Sequence, residues 1–190
     1  MTQEAVLDVF RASGALLEGH FRLSSGLHSG GYLQCALVLQ HPRHAEALGA
    51  AIADLAGSFG ANVVLSPALG GIVIGQEAGR ALGVRAIFAE RQDGVLTLRR
   101  GFTLDASDRV LVVEDVVTTG GSTRETMDVA RAAGALVVAA ASIIDRGSST
   151  ELGVPYVALA RVSLPAYDPA ACPLCAAGRP LVKPGSRPGA

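Results

Sequence analysis

The sequence is short of lysine and of aromatic residues, and each shortage restricts the chemistry it can perform. Lys183 is its only lysine, tryptophan is absent, and aromatic residues make up 4% of the 190 residues. Nearly all positive charge is therefore arginine, which stays charged at working pH and is a poor proton donor. Any cationic catalysis in the body of the fold must use arginine or a metal ion.

Charge and long apolar runs are also sparse. Charged residues amount to 17%, the net charge is −1 and the isoelectric point is about 6.4, which argues against a general nucleic-acid binder. We expect no membrane span and no secretory signal, since no apolar run is long enough and the amphipathic N-terminus carries acids. With 49% hydrophobic residues, the composition predicts one globular, cytoplasmic domain over residues 1–190.

Three cysteines are too few, and an odd number, for a disulfide framework. Cys172 and Cys175 have the spacing that begins a metal knuckle, but a tetrahedral site needs four ligands and no second pair is evident. Cys35 and the four histidines are candidate donors without a supporting pattern. The alternatives left open are a structural zinc and a reduced, apolar C-terminal tail.

Strand patterns alternate with helix patterns along most of the chain, which indicates a parallel sheet with right-handed crossovers. The carboxyl ends of such strands meet at one edge, where ligands bind. The predicted elements are a helix at 3–13, strands near Phe21 and Tyr32, a helix from Pro42, a strand at 62–65, a helix to Leu82, a strand at 84–89, a hairpin or mobile loop at 90–101, a strand at 110–114, a helix at 121–133, and strands at 135–144 and 157–160.

The segment 110–123 has the most specific pattern. Four apolar residues, Val110 to Val113, predict a buried strand, and the carboxylates Glu114 and Asp115 follow directly. A loop of small residues, 118–122, then leads into a helix. Carboxylates accept hydrogen bonds from sugar hydroxyls, and a helix N-terminus holds a phosphate dianion. The order suits a ribose 5-phosphate, although each part alone also fits an ordinary solvated loop.

Three other strand ends carry candidate binding residues. The loop 66–71 is small enough for its backbone to approach an anion, but it also fits a plain strand-to-helix turn. Glu90-Arg91, with Arg99-Arg100 farther on, could supply positive charge or be solvated surface. Asp145-Arg146 could bind a ligand or form a local ion pair. Their predicted convergence at one edge of the sheet favours binding.

The chain resembles the orotate phosphoribosyltransferases, of the type I phosphoribosyltransferase fold, over nearly its full length. Segment 110–123 is similar to their signature for phosphoribosyl pyrophosphate (PRPP), and segment 66–71 resembles their pyrophosphate loop. Segments 19–32, 88–91, 98–102 and 144–146 also match, and the cysteine-containing tail recurs in one branch. The signature indicates only the superfamily, whereas segment 19–32 and Asp145-Arg146 select orotate.

The resemblance implies an α/β fold with a central, mostly parallel sheet flanked by helices. A small N-terminal hood would comprise residues 1–40 with the tail 165–190, and the core would span 41–164. The implied reaction is Mg²⁺-dependent transfer of ribose 5-phosphate from PRPP to N1 of orotate, giving orotidine 5′-monophosphate and pyrophosphate for pyrimidine biosynthesis. The implied partners are these two substrates and a second copy of the chain, with no nucleic acid and no membrane.

The resemblance also assigns roles to individual residues. It implies that Arg91, Glu114 and Asp115 are catalytic, with Mg²⁺ held through PRPP near the two carboxylates. Arg91 aligns with an arginine that usually reaches pyrophosphate from the neighbouring subunit, which is the reason to expect a homodimer. The residues expected to bind PRPP are Leu69, Gly70, Arg91, Glu114, Asp115, Val116, Val117, Thr118, Thr119, Gly120, Gly121 and Ser122. Those expected to bind orotate are Ser24, Tyr32, Leu33, Thr118 and Arg146.

This chain departs from well-known members where they carry lysine. Ser24 and Gly70 occupy two such positions, and the segment 91–98 is shorter than their mobile loop and lacks its lysines and histidine. We therefore expect Arg91, Arg99 and Arg100 to supply the charge, with Mg²⁺ taking a larger share. The alternatives are a purine or uracil phosphoribosyltransferase, a PRPP-sensing regulator, and a zinc-dependent interaction module built on the two tail cysteines.

Overall fold

The computed structural model describes residues 1–23, 26–147 and 151–183. The predicted alternation of strands and helices is confirmed, with most boundaries shifted by a few residues. Two short helices, α2 and α6, were not predicted. The elements are α1 Gln3–Ala12, β1 Leu16–Arg22, β2 His28–Leu33, α2 Cys35–Leu39, α3 Pro42–Ala56, β3 Val63–Pro67, α4 Gly70–Leu82, β4 Arg85–Gln92, β5 Val95–Leu98, β6 Arg109–Val117, α5 Gly121–Ala132, β7 Leu136–Asp145, β8 Tyr156–Arg161, β9 Ala166–Tyr167 and α6 Pro173–Ala176.

The central sheet has six strands in the order β5-β4-β3-β6-β7-β8. Five of them are parallel, and β5 is an antiparallel edge strand that continues from β4 through a hairpin. The chain moves outward from β3 to β4, then returns to place β6 on the other side of β3. The strand order therefore reverses between β3 and β6, and in open parallel sheets ligands bind at such a switch point.

Apolar side chains fill both faces of this sheet. On one face, Leu48 of α3 and Ile74 of α4 pack with Val113 and Ile143 from the strands. On the other face, Met127 of α5 packs against Val112 and its neighbours. The strands between these layers are nearly continuous runs of buried aliphatic residues, as expected for parallel strands covered on both faces. Within the described ranges, no helix combines the length and apolarity needed to cross a membrane.

A second sheet of three strands, β1-β2-β9, stands apart from the central sheet in its hydrogen bonding. Strands β1 and β2 form an antiparallel hairpin, and β9 from the C-terminal segment pairs with β2. The name hood is used below for these three strands only, which is a narrower set than residues 1–40 and 165–190. Helices α1 and α2, which the sequence analysis assigned to the hood, contribute Val6, Phe10 and Val38 to the main core.

Candidate active site

An open cleft lies at the carboxyl ends of β3 and β6, where the strand order reverses. One wall is the turn between β3 and α4, and the other is the end of β6 with the start of α5. The β4–β5 hairpin closes the third side. The lining residues are Pro67, Ala68, Leu69, Gly70, Arg91, Leu96, Glu114 and Ser122.

The two predicted carboxylates lie together at the end of β6. Glu114 is buried, and its Oε1 accepts a hydrogen bond of 2.5 Å from Ser122 Oγ. Burial, and next the neighbouring charge of Asp115, raise the pKa of Glu114 to about 8. Burial also raises the pKa of Asp115. A cation or several hydroxyl donors would relieve this crowding of negative charge, so the pair is suited to bind either.

The predicted phosphate loop follows these carboxylates and ends at α5. Gly120 adopts a left-handed conformation with φ of 74°, and the first turn of α5 contains no acidic residue. Arg124 supports the loop from behind, since its Nη2 donates to the carbonyl oxygen of Thr119 at 2.6 Å. The first backbone N–H groups of a helix have no partner within the helix and attract anions. The end of the loop is therefore suited to bind an anion such as a phosphate.

The opposite wall of the cleft is the loop predicted to bind pyrophosphate. Its Ala68–Leu69 peptide bond is cis, and Leu69 is 77% exposed. A β-carbon at Gly70 would lie only 2.7 Å from Oδ2 of Asp115, so the loop and this carboxylate face each other closely. A side chain at position 70 would therefore require the Asp115 carboxylate to move.

The structure distinguishes the three arginines expected to supply positive charge. Arg91 lines the cleft, and its guanidinium contacts Gly94 O at 2.6 Å and Glu125 Oε2 at 2.8 Å. Arg100 is instead paired with Glu90 at 2.8 Å, and Arg99 lies 3.7 Å from the same carboxylate. Arg91 is therefore the one of the three that lines the cleft, and it does so in its own chain.

Arg146 follows β7 beside the carboxylate strand. Burial lowers the pKa of its guanidinium, and its buried Nε has no hydrogen-bond partner among the described residues. The half-buried Tyr32 lies close enough for the charges of Asp115 and Arg146 to influence the pKa of its phenol, which burial raises. A half-buried guanidinium with an unpartnered Nε, close to a tyrosine ring, is suited to bind a planar anion.

Neighbouring groups hold the Arg146 segment in place. Asp145 is buried, and its two carboxylate oxygens contact Arg161 Nε at 3.3 Å and the backbone nitrogen of Gly147 at 2.8 Å. The local ion pair considered for this segment is therefore formed by Asp145 with Arg161. It leaves Arg146 available for another role.

The remaining predicted residues fall into three groups. Leu33 is 5% exposed and packs in the core, on the opposite face of its strand from Tyr32. Its contact with orotate stays a prediction, and the placement of its side chain does not support it. Ser24 lies outside the described residues. The other predicted PRPP residues lie on β6, at the start of α5 or on the loop between them: Val116, Val117, Thr118, Thr119 and Gly121.

Sequence reasoning missed Leu96 and Arg124. Leu96 reaches the cleft because it pairs with Arg91 across the β4–β5 hairpin. The dipeptide Asp93-Gly94, with φ of 52° and 85°, forms the turn that fixes this register. An Asp-Gly pair between two strand patterns is a recognised hairpin signal, so this residue could have been found from the sequence.

The chain is similar to known proteins both in sequence and in fold. A family model described as "Phosphoribosyl transferase domain" matches residues 37–157. The orotate phosphoribosyltransferase of Heliobacterium modesticaldum is 53% identical over 190 residues, covering 98% of this chain and all of that protein. That of Pelotomaculum thermopropionicum is 50% identical over 188 residues, covering 98% and 99%.

Solved structures agree on the fold. Orotate phosphoribosyltransferase from Aeropyrum pernix superposes with a TM-score of 0.71 at 24% identity, over 83% of this chain and 93% of that one. The Mycobacterium tuberculosis enzyme in complex with PRPP gives a TM-score of 0.66 at 24% identity, over 84% and 95%. At this level of identity, the likeness shows that the architecture is shared.

Proposed function

This chain belongs to the orotate phosphoribosyltransferase family, and we propose that the cleft between β3 and β6 is where it transfers ribose 5-phosphate from PRPP to N1 of orotate. The products are orotidine 5′-monophosphate and pyrophosphate, a step of pyrimidine biosynthesis. The observation that carries the proposal is the placement of paired carboxylates, a helix N-terminus and an arginine around one cleft at the switch point.

PRPP would lie along the floor of this cleft. Glu114 and Asp115 accept hydrogen bonds from the ribose hydroxyls, and the loop 118–122 holds the 5′-phosphate with its backbone N–H groups. Ser122 Oγ donates a hydrogen bond to Glu114 Oε1, so this bond directly connects the proposed ribose and phosphate subsites. PRPP is thereby oriented with its pyrophosphate toward Leu69 and Gly70.

Positive charge for the leaving pyrophosphate comes from Arg91 in this chain. The guanidinium lines the cleft opposite Glu114, and its ion pair with Glu125 is solvent-exposed and weak. Arg91 can therefore give up its contact with Glu125 and pair with a polyanion instead. Because C1′ gains oxocarbenium character while pyrophosphate departs, stabilising the leaving group is the main electrostatic task of the site.

Mg²⁺ fits the carboxylate pair. Burial raises the pKa of both Glu114 and Asp115, and the charge of Asp115 adds to the shift of Glu114, so a cation beside the pair would favour their ionised forms. Oxygen ligands suit this ion. Bound with PRPP near these side chains, Mg²⁺ would neutralise charge on the departing pyrophosphate. The residues themselves position the ribose and restrict water at the reacting carbon.

Orotate would lie between the hood and the end of β7. Arg146, whose buried Nε has no partner among the described residues, offers its guanidinium to the polar edge of the base, where a bidentate contact is possible. Tyr32 covers the ring, and Thr118 lies at the end of β6, on the way from the ribose to the base. The contributions of Leu33 and Ser24 are inferred from the resemblance alone.

A homodimer and a cytoplasmic location also belong to the proposal. The expectation of a dimer came from enzymes in which an arginine crosses to the neighbouring active site. Here Arg91 lies at the cleft of its own chain, so catalysis within one chain is the simpler geometry. Dimerisation would then stabilise the site without being needed to complete it.

The proposal is tested by following orotate absorbance after addition of PRPP and Mg²⁺. Loss of absorbance that requires orotate and stops with EDTA is expected, with uracil, hypoxanthine and adenine inert. Turnover of another base in the same panel would overturn the choice of orotate. PRPP binding by calorimetry without turnover of any base would overturn catalysis and favour a regulatory protein.

A further inference from the structure

Four side chains that the transferase reaction does not use converge at the hood. They come from two distant parts of the sequence, two from the β1–β2 hairpin and two from the C-terminal segment. One nitrogen from each of His20 and His28 and the sulfurs of Cys172 and Cys175 all lie within 4.8 Å of one another. Three of these residues are buried, and Cys175 is exposed.

The separations match those around a tetrahedral metal ion. Zinc–sulfur bonds of about 2.3 Å and zinc–nitrogen bonds of about 2.05 Å place nitrogen and sulfur ligands about 3.6 Å apart, and two nitrogens about 3.3 Å apart. His20 Nε2 lies 3.6 Å from Cys172 Sγ and 3.7 Å from Cys175 Sγ. His28 Nδ1 lies 3.3 Å from Cys175 Sγ and 3.0 Å from His20 Nε2.

The fold holds these ligands from both sides of the hairpin. His28 begins β2, and it pairs with Tyr167 of β9 just before the chain reaches Cys172. On the other side of the hairpin, Val182 donates its backbone N–H to His20 O at 2.8 Å. The segment between β9 and Val182 thus spans the hairpin. Along it, Cys172 at the N-cap of α6 and Cys175 within α6 both come close to the histidines.

A hydrogen bond to the backbone also orients the ring of His20 for metal binding. Its Nδ1 lies 2.9 Å from the carbonyl oxygen of Arg179, so this nitrogen carries the proton and donates it. The lone pair is then on Nε2, the nitrogen that faces the two sulfurs. Metal-binding histidines usually have such a partner on the other ring nitrogen, since it fixes the tautomer and the ring orientation.

We propose that His20, His28, Cys172 and Cys175 bind one structural Zn²⁺ that fastens the C-terminal segment to the hood. Two thiolates and two neutral imidazoles compensate the charge of a divalent cation, which suits a largely buried site. Sulfur and imidazole donors in tetrahedral array select zinc over Mg²⁺ or Ca²⁺. Four protein ligands leave no open position, so the ion holds structure and takes no part in the transfer reaction.

His20 and His28 are the second ligand pair that the sequence did not reveal. The histidines are eight residues apart on neighbouring strands, and the antiparallel register brings them together. A disulfide between Cys172 and Cys175 is the competing use of the cysteines. It would leave unexplained why two histidine nitrogens face the same sulfurs.

The first test is metal content. The tag-free full-length protein, produced with zinc supplementation and kept reduced, should contain close to one zinc per chain by plasma mass spectrometry. Cys175→Ser and His28→Ala should each lower this content severalfold or more. Cys35→Ala and His44→Ala are matched controls, since they remove the same residue types outside the cluster, and should retain the wild-type content.

The second test is cobalt binding by the wild-type protein, which does not depend on whether a variant folds. Metal-free wild-type protein titrated with Co²⁺ should develop thiolate-to-metal charge-transfer and tetrahedral d–d bands that saturate at one equivalent. Chelation of zinc should lower the thermal midpoint of wild type by about 5 °C or more and leave Cys175→Ser unchanged.

Three results would overturn the proposal. One is reduced wild-type protein that contains no zinc and gives no cobalt bands. Another is a Cys172–Cys175 disulfide in protein isolated under reducing conditions, and the third is a Cys172→Ser/Cys175→Ser double variant that keeps its zinc. Because all these readouts are independent of orotate turnover, failure here leaves the proposed enzymatic function untouched.

Discussion

The backbone nitrogen of Arg146 donates a hydrogen bond of 2.8 Å to the carbonyl oxygen of Val117, beyond the last ladder contacts of β6 and β7. This bond joins the segment that would hold the base to the segment that would hold the ribose. Both segments extend from parallel strands that are buried on both faces, so they are held on a rigid support. The geometry leads to several predictions about single side chains.

Glu114→Gln should change how stability depends on pH. The pKa of this carboxyl is about 8 in the fold against an ordinary 4.5, so the folded state retains a proton that the unfolded chain releases. The ligand-free enzyme should therefore lose stability as pH rises from about 4.5 to 8, by an amount on the order of a few kcal/mol. The neutral amide should remove most of this loss.

Denaturant unfolding of both proteins across that pH range measures the effect. Glu125→Gln is a suitable control because it removes an exposed carboxylate near the same cleft. Parallel pH profiles for wild type and Glu114→Gln would contradict the assignment of a buried, protonated Glu114.

Arg91→Ala should lower kcat by about 10²-fold or more, because it removes the cleft-lining cation that faces the leaving group. The fold should be unaffected, since the side chain is exposed and its ion pair is a surface pair. Arg99→Ala is the matched control, and its effect should be much smaller because Arg99 lies near Glu90 instead. Near-wild-type turnover of Arg91→Ala would show that the charge comes from elsewhere.

Mixing inactive variants tests whether one chain supplies the whole site. We expect Arg91→Ala and Glu114→Gln to remain inactive after they are unfolded and refolded together, since both residues line the cleft of the same chain. Recovery of about a quarter of the activity would instead show a site shared between subunits, in which one mixed dimer site is intact. Sedimentation of the mixture confirms that hybrids have formed.

Gly70→Ala should weaken PRPP binding with little effect on folding. The added β-carbon would lie 2.7 Å from Oδ2 of Asp115, and a carboxylate at the end of a side chain can rotate away at small cost. That rotation would displace the Asp115 carboxylate, which we propose binds the ribose hydroxyls. Calorimetry with PRPP measures the loss, which we expect to be about tenfold, the value of one hydrogen bond to a charged group.

Gly30→Ala serves as the control for the general cost of replacing glycine. Its β-carbon would meet only Leu174, at an ordinary contact distance of 3.9 Å, and the residue is on the hood away from the carboxylates. Equal PRPP affinities for the two variants would argue against the steric relationship between Gly70 and Asp115.

Arg146→Lys should raise the KM for orotate by about 10- to 100-fold, since a bidentate contact is replaced by a single point charge. PRPP affinity should be unchanged. The thermal midpoint should not fall, because the buried Nε of Arg146 makes no hydrogen bond within the described residues. Arg131→Lys, on the exposed side of α5, provides the comparison, and equal KM values would refute the role of Arg146.

The parts of this architecture that the sequence predicts are those with a local signal. Strand β6 is recognised because its apolar run is long and is followed at once by two carboxylates, and Pro42 marks the start of α3. The convergence of the loops follows from the parallel topology alone. Family membership and the α/β fold are confirmed, whereas the individual binding roles remain predictions.

What the sequence could not predict depends on contacts between distant residues. No local sequence pattern shows that Glu90 forms an ion pair with Arg100. None shows that Leu33, rather than Tyr32, faces the core. The pairing of the hood with residues of the C-terminal segment is likewise invisible to periodicity. Each of these features is decided by tertiary packing, which overrides the local pattern.

The pairing of β9 with β2 also determines when the hood can form. Ser29 is paired in register with Ala166, so a strand synthesised early needs a partner strand that is synthesised near the end of the chain. Until then, β1 and β2 are a two-stranded hairpin, which is marginally stable alone. Domains form as their chain emerges from the ribosome. The hood can therefore reach three strands only after all the strands of the central sheet have been synthesised.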